Sequence, residues 1–105
     1  MGWCRLGPCL GELLEIGCRV LKFFPAQVAG GVAMLKAIAG PYAHTGLRFI
    51  PTGGVSADNL SDYLKLPIVA AVGGSWMVDP ALVAAGRWDE ITRLTRQAVA
   101  LAAAA

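Results

Sequence analysis

The sequence has little charge. Charged residues make up 15% of its 105 residues, and the formal net charge is +2. Its lysines and arginines do not cluster anywhere along the chain. Proteins that bind nucleic acid or anionic membrane surfaces usually carry such clusters. We therefore expect neither nucleic acid nor a membrane among the partners of this protein.

Potential metal ligands and long apolar runs are also scarce. There is one histidine, His44, and the three cysteines have spacings that match no zinc or redox motif. No apolar run approaches the roughly 20 residues that span a bilayer, and the first residues do not resemble a signal peptide. We expect a reduced, cytoplasmic protein without a metal ion.

Apolar residues, by contrast, are abundant. They make up 56% of the sequence, and the mean hydropathy is +0.59. A typical small soluble domain has roughly 25% charged residues, clearly more than this chain. This surplus indicates that part of the surface is covered, either by partner subunits or by further chain.

Short apolar runs alternate with helical patterns along the sequence. Strands that are apolar on both faces and separated by helices are typical of a parallel sheet, so the fold class is α/β, either a barrel or a doubly wound sheet. Strands are predicted over 19–24, 47–50 and 68–72. Helices are predicted over 10–16, 30–38 and 57–64 (with Ser56 as N-cap), from Asp79 and Pro80 onward, and from Trp88 to the end.

The distinctive residues all fall at the ends of these predicted strands. They are Lys22, then Thr52, Gly53 and Gly54, then Gly73, Gly74 and Ser75. Paired glycines leave backbone N–H groups accessible to an anion, and neighbouring loops of this kind favour a phosphate site. Taken one at a time, the glycine pairs are equally well explained as turn residues with positive φ.

Lys22 lies within "LKFFPA", an apolar run that predicts a buried strand. One interpretation is structural: the aliphatic stem is buried while the ammonium group reaches water at the rim of the sheet. The other is chemical, because desolvation favours the neutral amine, which attacks carbonyl groups to form a Schiff base. Val20, Lys22 and Phe24 share one face of this strand, which places an aromatic ring beside the amine.

Four segments occur along the sequence in the order "LKFFPA", "KAIAGP", "RFIPTGGVSADNLSDYL" and "VGGSW". Together they resemble the C-terminal part of the 2-keto-3-deoxy-6-phosphogluconate (KDPG) aldolases, including those that also cleave 4-hydroxy-2-oxoglutarate. The resemblance covers residues 11–105, whereas residues 1–10 are atypical. It implies the last three βα units of a (β/α)8 TIM barrel, a class I aldolase without metal or cofactor, and a homo-oligomer, as a trimer is usual in the family.

The resemblance also implies roles for individual residues. Lys22 matches the Schiff-base lysine, and Phe24 and Pro25 match residues that line the same pocket. Residues that match the phosphate-binding segments are Thr52, Gly53, Gly54, Gly73, Gly74 and Ser75. The implied reaction cleaves the phosphorylated keto acid to pyruvate and glyceraldehyde 3-phosphate, and in some members 4-hydroxy-2-oxoglutarate to pyruvate and glyoxylate.

The sequence also departs from the family. The family's catalytic glutamate and carboxylate-binding arginine lie on an earlier strand, which no segment here resembles. Gln27 stands where many members have a glutamate, and an amide cannot act as a base. Two alternatives to an aldolase therefore stay open: a phosphate-binding half-barrel without catalysis, and a structural or oligomerisation fragment.

Overall fold

The centre of the protein is a small parallel sheet. The structure is a computed structural model that describes residues 2–3 and 15–105. Strands β1 (Gly2–Trp3), β2 (Val20–Phe23) and β3 (Arg48–Pro51) lie in the order β1-β2-β3. All pairs are parallel, and in the β2–β3 pair Lys22 lies opposite Ile50. The protein is therefore α/β with parallel strands, as the sequence predicts.

The described helices follow the strands in the predicted alternation. They are α1 (Gly31–Tyr42), α2 (Leu60–Leu64), α3 (Pro80–Ala84) and α4 (Trp88–Ala104), with 3-10 turns at Ala43–Thr45 and Trp76–Val78. Helix α3 begins as predicted, with Asp79 Oδ1 accepting a hydrogen bond from the Ala81 N–H at 2.8 Å and Pro80 in the first turn. Helix α4 contacts α2, α3 and the turn at Trp76–Val78.

One face of the sheet is buried beneath α1 and α2. Alternation along β2 turns Leu21 and Phe23 to this face, and Phe49 of β3 packs edge-on against Phe23 with ring centroids 6.1 Å apart. The two helices cover these residues with apolar side chains spaced three apart. The buried helical side chains are Leu35, Ile38, Leu60 and Tyr63.

The predicted third strand over 68–72 is wrong as a strand. The segment lies parallel to β3 but forms a single bridge, between Phe49 and Val69. Hydrogen bonds run from the Phe49 N–H to the Ile68 oxygen at 2.7 Å and from the Ala70 N–H to the Phe49 oxygen at 2.9 Å. The next hydrogen bond runs from the N–H of Gly73, a loop residue, to the Pro51 oxygen. The pairing with β3 therefore stops after one bridge and does not extend into a ladder.

Two helix boundaries also differ from the prediction. Helix α1 continues through Gly40 and Pro41, since a proline in the last turn removes only one backbone hydrogen bond there. Helix α2 begins at Leu60 rather than after Ser56. The Asn59 side chain accepts from the Ser56 N–H at 2.8 Å and donates to the Gly54 oxygen at 2.9 Å, which stabilises a turn in place of the first helical residues.

Two further sequence predictions concern the N-terminal region. Most of the helix predicted over 10–16 lies outside the described residues. Within the described part of that range, Glu15 is helical. Strand β1 falls within the segment that the sequence marks as atypical, and it was not predicted. Within residues 2–3 and 15–105, no helix has the length and apolar character needed to cross a bilayer.

Candidate active site

Lys22 lies on the open face of the sheet, the face that carries Val20, Lys22 and Phe24. Its neighbours Leu21 and Phe23 are buried on the opposite face, whereas Lys22 itself is half-buried. The Nζ atom lies 4.8 Å from the centroid of the Phe24 ring, a cation–π distance. The alternation predicted from the sequence is therefore confirmed, with the amine beside an aromatic ring at the carboxyl end of β2.

The loop after β3 passes directly beside the end of β2. The Thr52 N–H donates to the Phe23 oxygen at 2.9 Å, and the Ala26 N–H donates to the Thr52 oxygen at 2.7 Å. Gly53 has φ +92°, and a Cβ there would lie 3.0 Å from the Phe24 ring and from Pro25 Cα. A side chain at Gly53 is therefore excluded both by backbone conformation and by contact with the segment that follows Lys22.

Within the described part of the chain, this loop and Gly74 present hydrogen-bond donors that have no protein partner. Thr52 Oγ1 is buried and has no hydrogen-bond partner among the described residues. Within residues 2–3 and 15–105, the N–H groups of Gly53, Gly54 and Gly74 also donate to no protein acceptor. An unpaired buried hydroxyl costs free energy unless a ligand or water pairs it, so the arrangement suits an anion with several oxygen atoms.

The second glycine loop lies against the first. The Gly73 N–H donates to the Pro51 oxygen at 3.0 Å, and a Cβ on Gly73 would lie 2.6 Å from Thr52 Cγ2. Gly74 lies on the ring of Trp76, which leaves no room for a Cβ. The structure thus brings the two predicted loops together, while Ser75 lies exposed beyond them.

Two residues that support this site, Tyr63 and Trp76, were given no role in it from the sequence. Tyr63 of α2 is fully buried and donates a hydrogen bond to Gln27 Oε1 at 2.5 Å, and Trp76 supports the second loop. Gln27 and Tyr63 are 36 residues apart, and no periodic pattern signals such a pair. Burial raises the pKa of the Tyr63 phenol above its ordinary value, so it remains a donor at neutral pH.

The described residues provide no metal site. Among residues 2–3 and 15–105, no group of three or more histidine, cysteine, aspartate or glutamate side chains converges on one point. The site that the described residues do form places an amine beside unpaired hydrogen-bond donors.

Comparison with known proteins identifies the family of this chain. Residues 10–94 match the family model described as KDPG and KHG aldolase. The chain belongs to the KDPG and KHG aldolase family. The matched segment contains Lys22, both glycine loops and the Gln27–Tyr63 pair.

Individual aldolases of this family show the same likeness. The 2-dehydro-3-deoxy-phosphogluconate aldolase of Haemophilus influenzae is 49% identical over 86 residues, which are 82% of this chain and 40% of that protein. The KDPG aldolase of Legionella pneumophila, solved with pyruvate captured as a covalent carbinolamine intermediate, is 47% identical with a TM-score of 0.76. The match covers 81% of this chain and 40% of that aldolase.

A third aldolase was solved with a phosphorylated compound. The 2-keto-3-deoxy-6-phosphogluconate aldolase of Zymomonas mobilis, with 3-phosphoglycerate, has a TM-score of 0.75 and 33% identity. The match covers 91% of this chain and 44% of that one. The chain thus spans about two fifths of the length of the aldolases that it matches.

Proposed function

We propose that this chain carries the Schiff-base lysine and the phosphate-binding loops of a class I aldolase that cleaves KDPG. The observation that carries the proposal is the position of Lys22. A half-buried amine lies at the end of a parallel strand, and the next strand ends in a loop of unpaired donors. In this proposal β2, β3 and the segment around Val69 are the last three strands of a (β/α)8 barrel, and the open face lines its interior.

The reaction begins at Lys22. Its neutral amine attacks the C2 ketone of the substrate to give a carbinolamine, and loss of water gives a protonated imine. A base then removes the C4 hydroxyl proton while the C3–C4 bond breaks, and the bonding electrons move into the imine. Glyceraldehyde 3-phosphate leaves, and the enamine on Lys22 is protonated at C3 and hydrolysed to pyruvate. In this sequence a pyruvate carbinolamine, the species captured in the Legionella aldolase, is the last intermediate before pyruvate is released from the lysine.

The phosphate of the substrate binds at the two glycine loops. Thr52 Oγ1 and the N–H groups of Gly53, Gly54 and Gly74 supply the donors, and the exposed Ser75 follows Gly74 in the chain. The Phe24 ring lies beside Lys22 Nζ, and Phe24 and Pro25 both lie against Gly53. In this proposal the two residues form an apolar wall for the carbon chain of the substrate. In this proposal one ligand reaches the amine with its keto group and the two loops with its phosphate.

Imine formation and bond cleavage make different demands on the chain. The first needs only Lys22 and pyruvate, whereas the second also needs a base for the C4 hydroxyl proton. No segment of this sequence resembles the strand that carries the family's catalytic glutamate. Gln27 cannot replace that glutamate, because an amide is not a base. We therefore propose imine chemistry for this chain, with cleavage dependent on a base from outside the matched segment.

Borohydride trapping tests the proposal. The chain is incubated with pyruvate and reduced, and the modified residue is located by intact-mass and peptide analysis. We expect a pyruvate adduct on Lys22 and none on Lys36, an exposed lysine of α1. A folded chain that gives no adduct on Lys22 would contradict the proposal.

A second candidate is a phosphate-binding protein without imine chemistry. It is favoured by the unpaired Thr52 hydroxyl, which an anion alone would satisfy. Inorganic phosphate would then bind at the glycine loops while pyruvate gives no adduct. If neither pyruvate nor phosphate binds, the remaining candidate is a structural or oligomerisation module.

A further inference from the structure

The segment that follows β2 contacts the loop that follows β3 through two residues, Pro25 and Gln27. Pro25 lies against Gly53, as described above, and the Gln27 N–H donates to the Gly53 oxygen at 3.2 Å. The Gln27 side chain then passes over Gly54. A Cβ there would lie 2.5 Å from Gln27 Cγ and 2.8 Å from its Cβ. We call the loop after β3, residues 52–54, the anion-binding loop. Gln27 therefore packs against this loop with both its backbone and its side chain.

The end of the Gln27 side chain is held by the core. Tyr63 is fully buried, and its hydroxyl donates to Gln27 Oε1. Gly31 leaves room for the pair, because a Cβ there would lie 2.8 Å from Gln27 Oε1 and 3.4 Å from the Tyr63 oxygen. Helix α2 follows the anion-binding loop in the chain, so the hydrogen bond closes a ring from the loop to α2 and back through Gln27.

We propose that Gln27 and Tyr63 are a positioning pair that fixes the anion-binding loop relative to Lys22. In this proposal neither residue takes part in the imine chemistry. Lys22 and Gln27 lie at the same strand end, so the pair sets how far the phosphate donors stand from the amine. The inference rests on the proposed function for the identity of the ligand, and it adds two residues to which the sequence gives no binding role.

Loss of the hydrogen bond between Tyr63 and Gln27 should weaken phosphate binding more than it lowers imine formation at Lys22. Tyr63→Phe removes only the hydroxyl and keeps the ring in the core. The loop then loses one constraint, and we expect the Kd for inorganic phosphate to rise about three- to tenfold, the effect of one hydrogen bond. Pyruvate has no phosphate, so the yield of its borohydride adduct on Lys22 should change less than about twofold.

Tyr42→Phe is the matched control. Tyr42 is a half-buried tyrosine at the end of α1, so the change removes the same atom without touching either loop. We expect phosphate affinity and adduct yield to stay at the wild-type level. Tyr63→Phe that leaves phosphate affinity unchanged would overturn the inference, and so would an equal fall in affinity and adduct yield, which indicates general loss of packing.

A double-mutant cycle tests the hydrogen bond itself. Gln27→Met removes the acceptor from an exposed residue of similar length, and it remains usable if Tyr63→Phe fails to fold. If the two residues act through one contact, the double variant should bind phosphate no more weakly than Gln27→Met alone. Fully additive losses would overturn the pairing.

Failure of the proposed function can be told apart from failure of this inference. A wild-type chain that binds no phosphate and forms no adduct contradicts the proposed function. Hydrogen exchange at the Ala26 and Gln27 amides then decides the coupling, because both donate to the anion-binding loop. Faster exchange in Tyr63→Phe than in Tyr42→Phe supports the link, and equal exchange overturns it.

Discussion

The two faces of β2 differ in what they do. Leu21 and Phe23 face the helices and are 0% and 4% exposed, whereas Val20 and Phe24 on the open face are 36% and 44% exposed. Lys22 lies between these last two. The buried face therefore stabilises the fold by packing against the helices. The open face can carry an amine, whereas an amine on the buried face would have a large desolvation cost.

Lys22→Met should produce the largest chemical effect. Methionine keeps the length of the side chain but removes the amine, so the borohydride adduct with pyruvate should disappear. The free energy of unfolding should change by less than about 1 kcal/mol, because the residue is only half-buried. Intact-mass analysis and urea unfolding check the two halves of this prediction. An adduct on another lysine in the variant would contradict the assignment to the open face.

Leu21→Ala should produce the reverse pattern. The leucine is fully buried, so its truncation should lower the free energy of unfolding by about 2–5 kcal/mol. Val20→Ala on the open face is the control, with an expected loss below about 1 kcal/mol. Chemical denaturation of both variants gives the comparison. Equal losses at the two positions would show that the faces of β2 do not differ as described.

Gly54→Ala and Gly46→Ala separate crowding from backbone strain. Their φ angles are +78° and +77°, so alanine should cost roughly 1–2 kcal/mol at either position. Only Gly54 lies against Gln27, whereas a Cβ at Gly46 meets nothing within 4 Å. We expect Gly54→Ala to be the less stable variant and to be alone in weakening phosphate binding, measured by denaturation and calorimetry. Equal behaviour of the two would rule out the contact with Gln27.

The smallest effect is expected at an exposed ion pair at the start of α4, between Arg93 and Glu90. Hydrogen bonding to Arg93 holds the pKa of Glu90 below its ordinary value, with Arg93 Nε 3.0 Å from Glu90 Oε2. A lowered carboxyl pKa stabilises the fold above the pKa of the unfolded chain, and this stabilisation is lost as pH falls through the folded value. Arg93→Ala should therefore raise the Glu90 pKa in an NMR titration, and its small destabilisation should vanish in acid. An unchanged Glu90 pKa would contradict the ion pair.

Much of the fold follows from local sequence patterns. Alternation within "LKFFPA" predicts which side chains of β2 share a face, and the Asp79–Pro80 pair predicts the start of α3, because both depend only on neighbouring residues. The end of α1 and the start of α2 were predicted wrongly. Pro41 is tolerated within a last turn, and Asn59 replaces the expected cap with contacts to Ser56 and Gly54.

The sequence by itself determined the candidate residues and the family, because Lys22 and the glycine pairs are recognisable from residue type and order. The tertiary structure alone decided how they act together. It pairs Gln27 with Tyr63 and places Gly73 against Thr52, whose Oγ1 has no hydrogen-bond partner among the described residues. These contacts join residues from different βα units, and the packing of helices on the sheet brings them together through distances that no local pattern encodes.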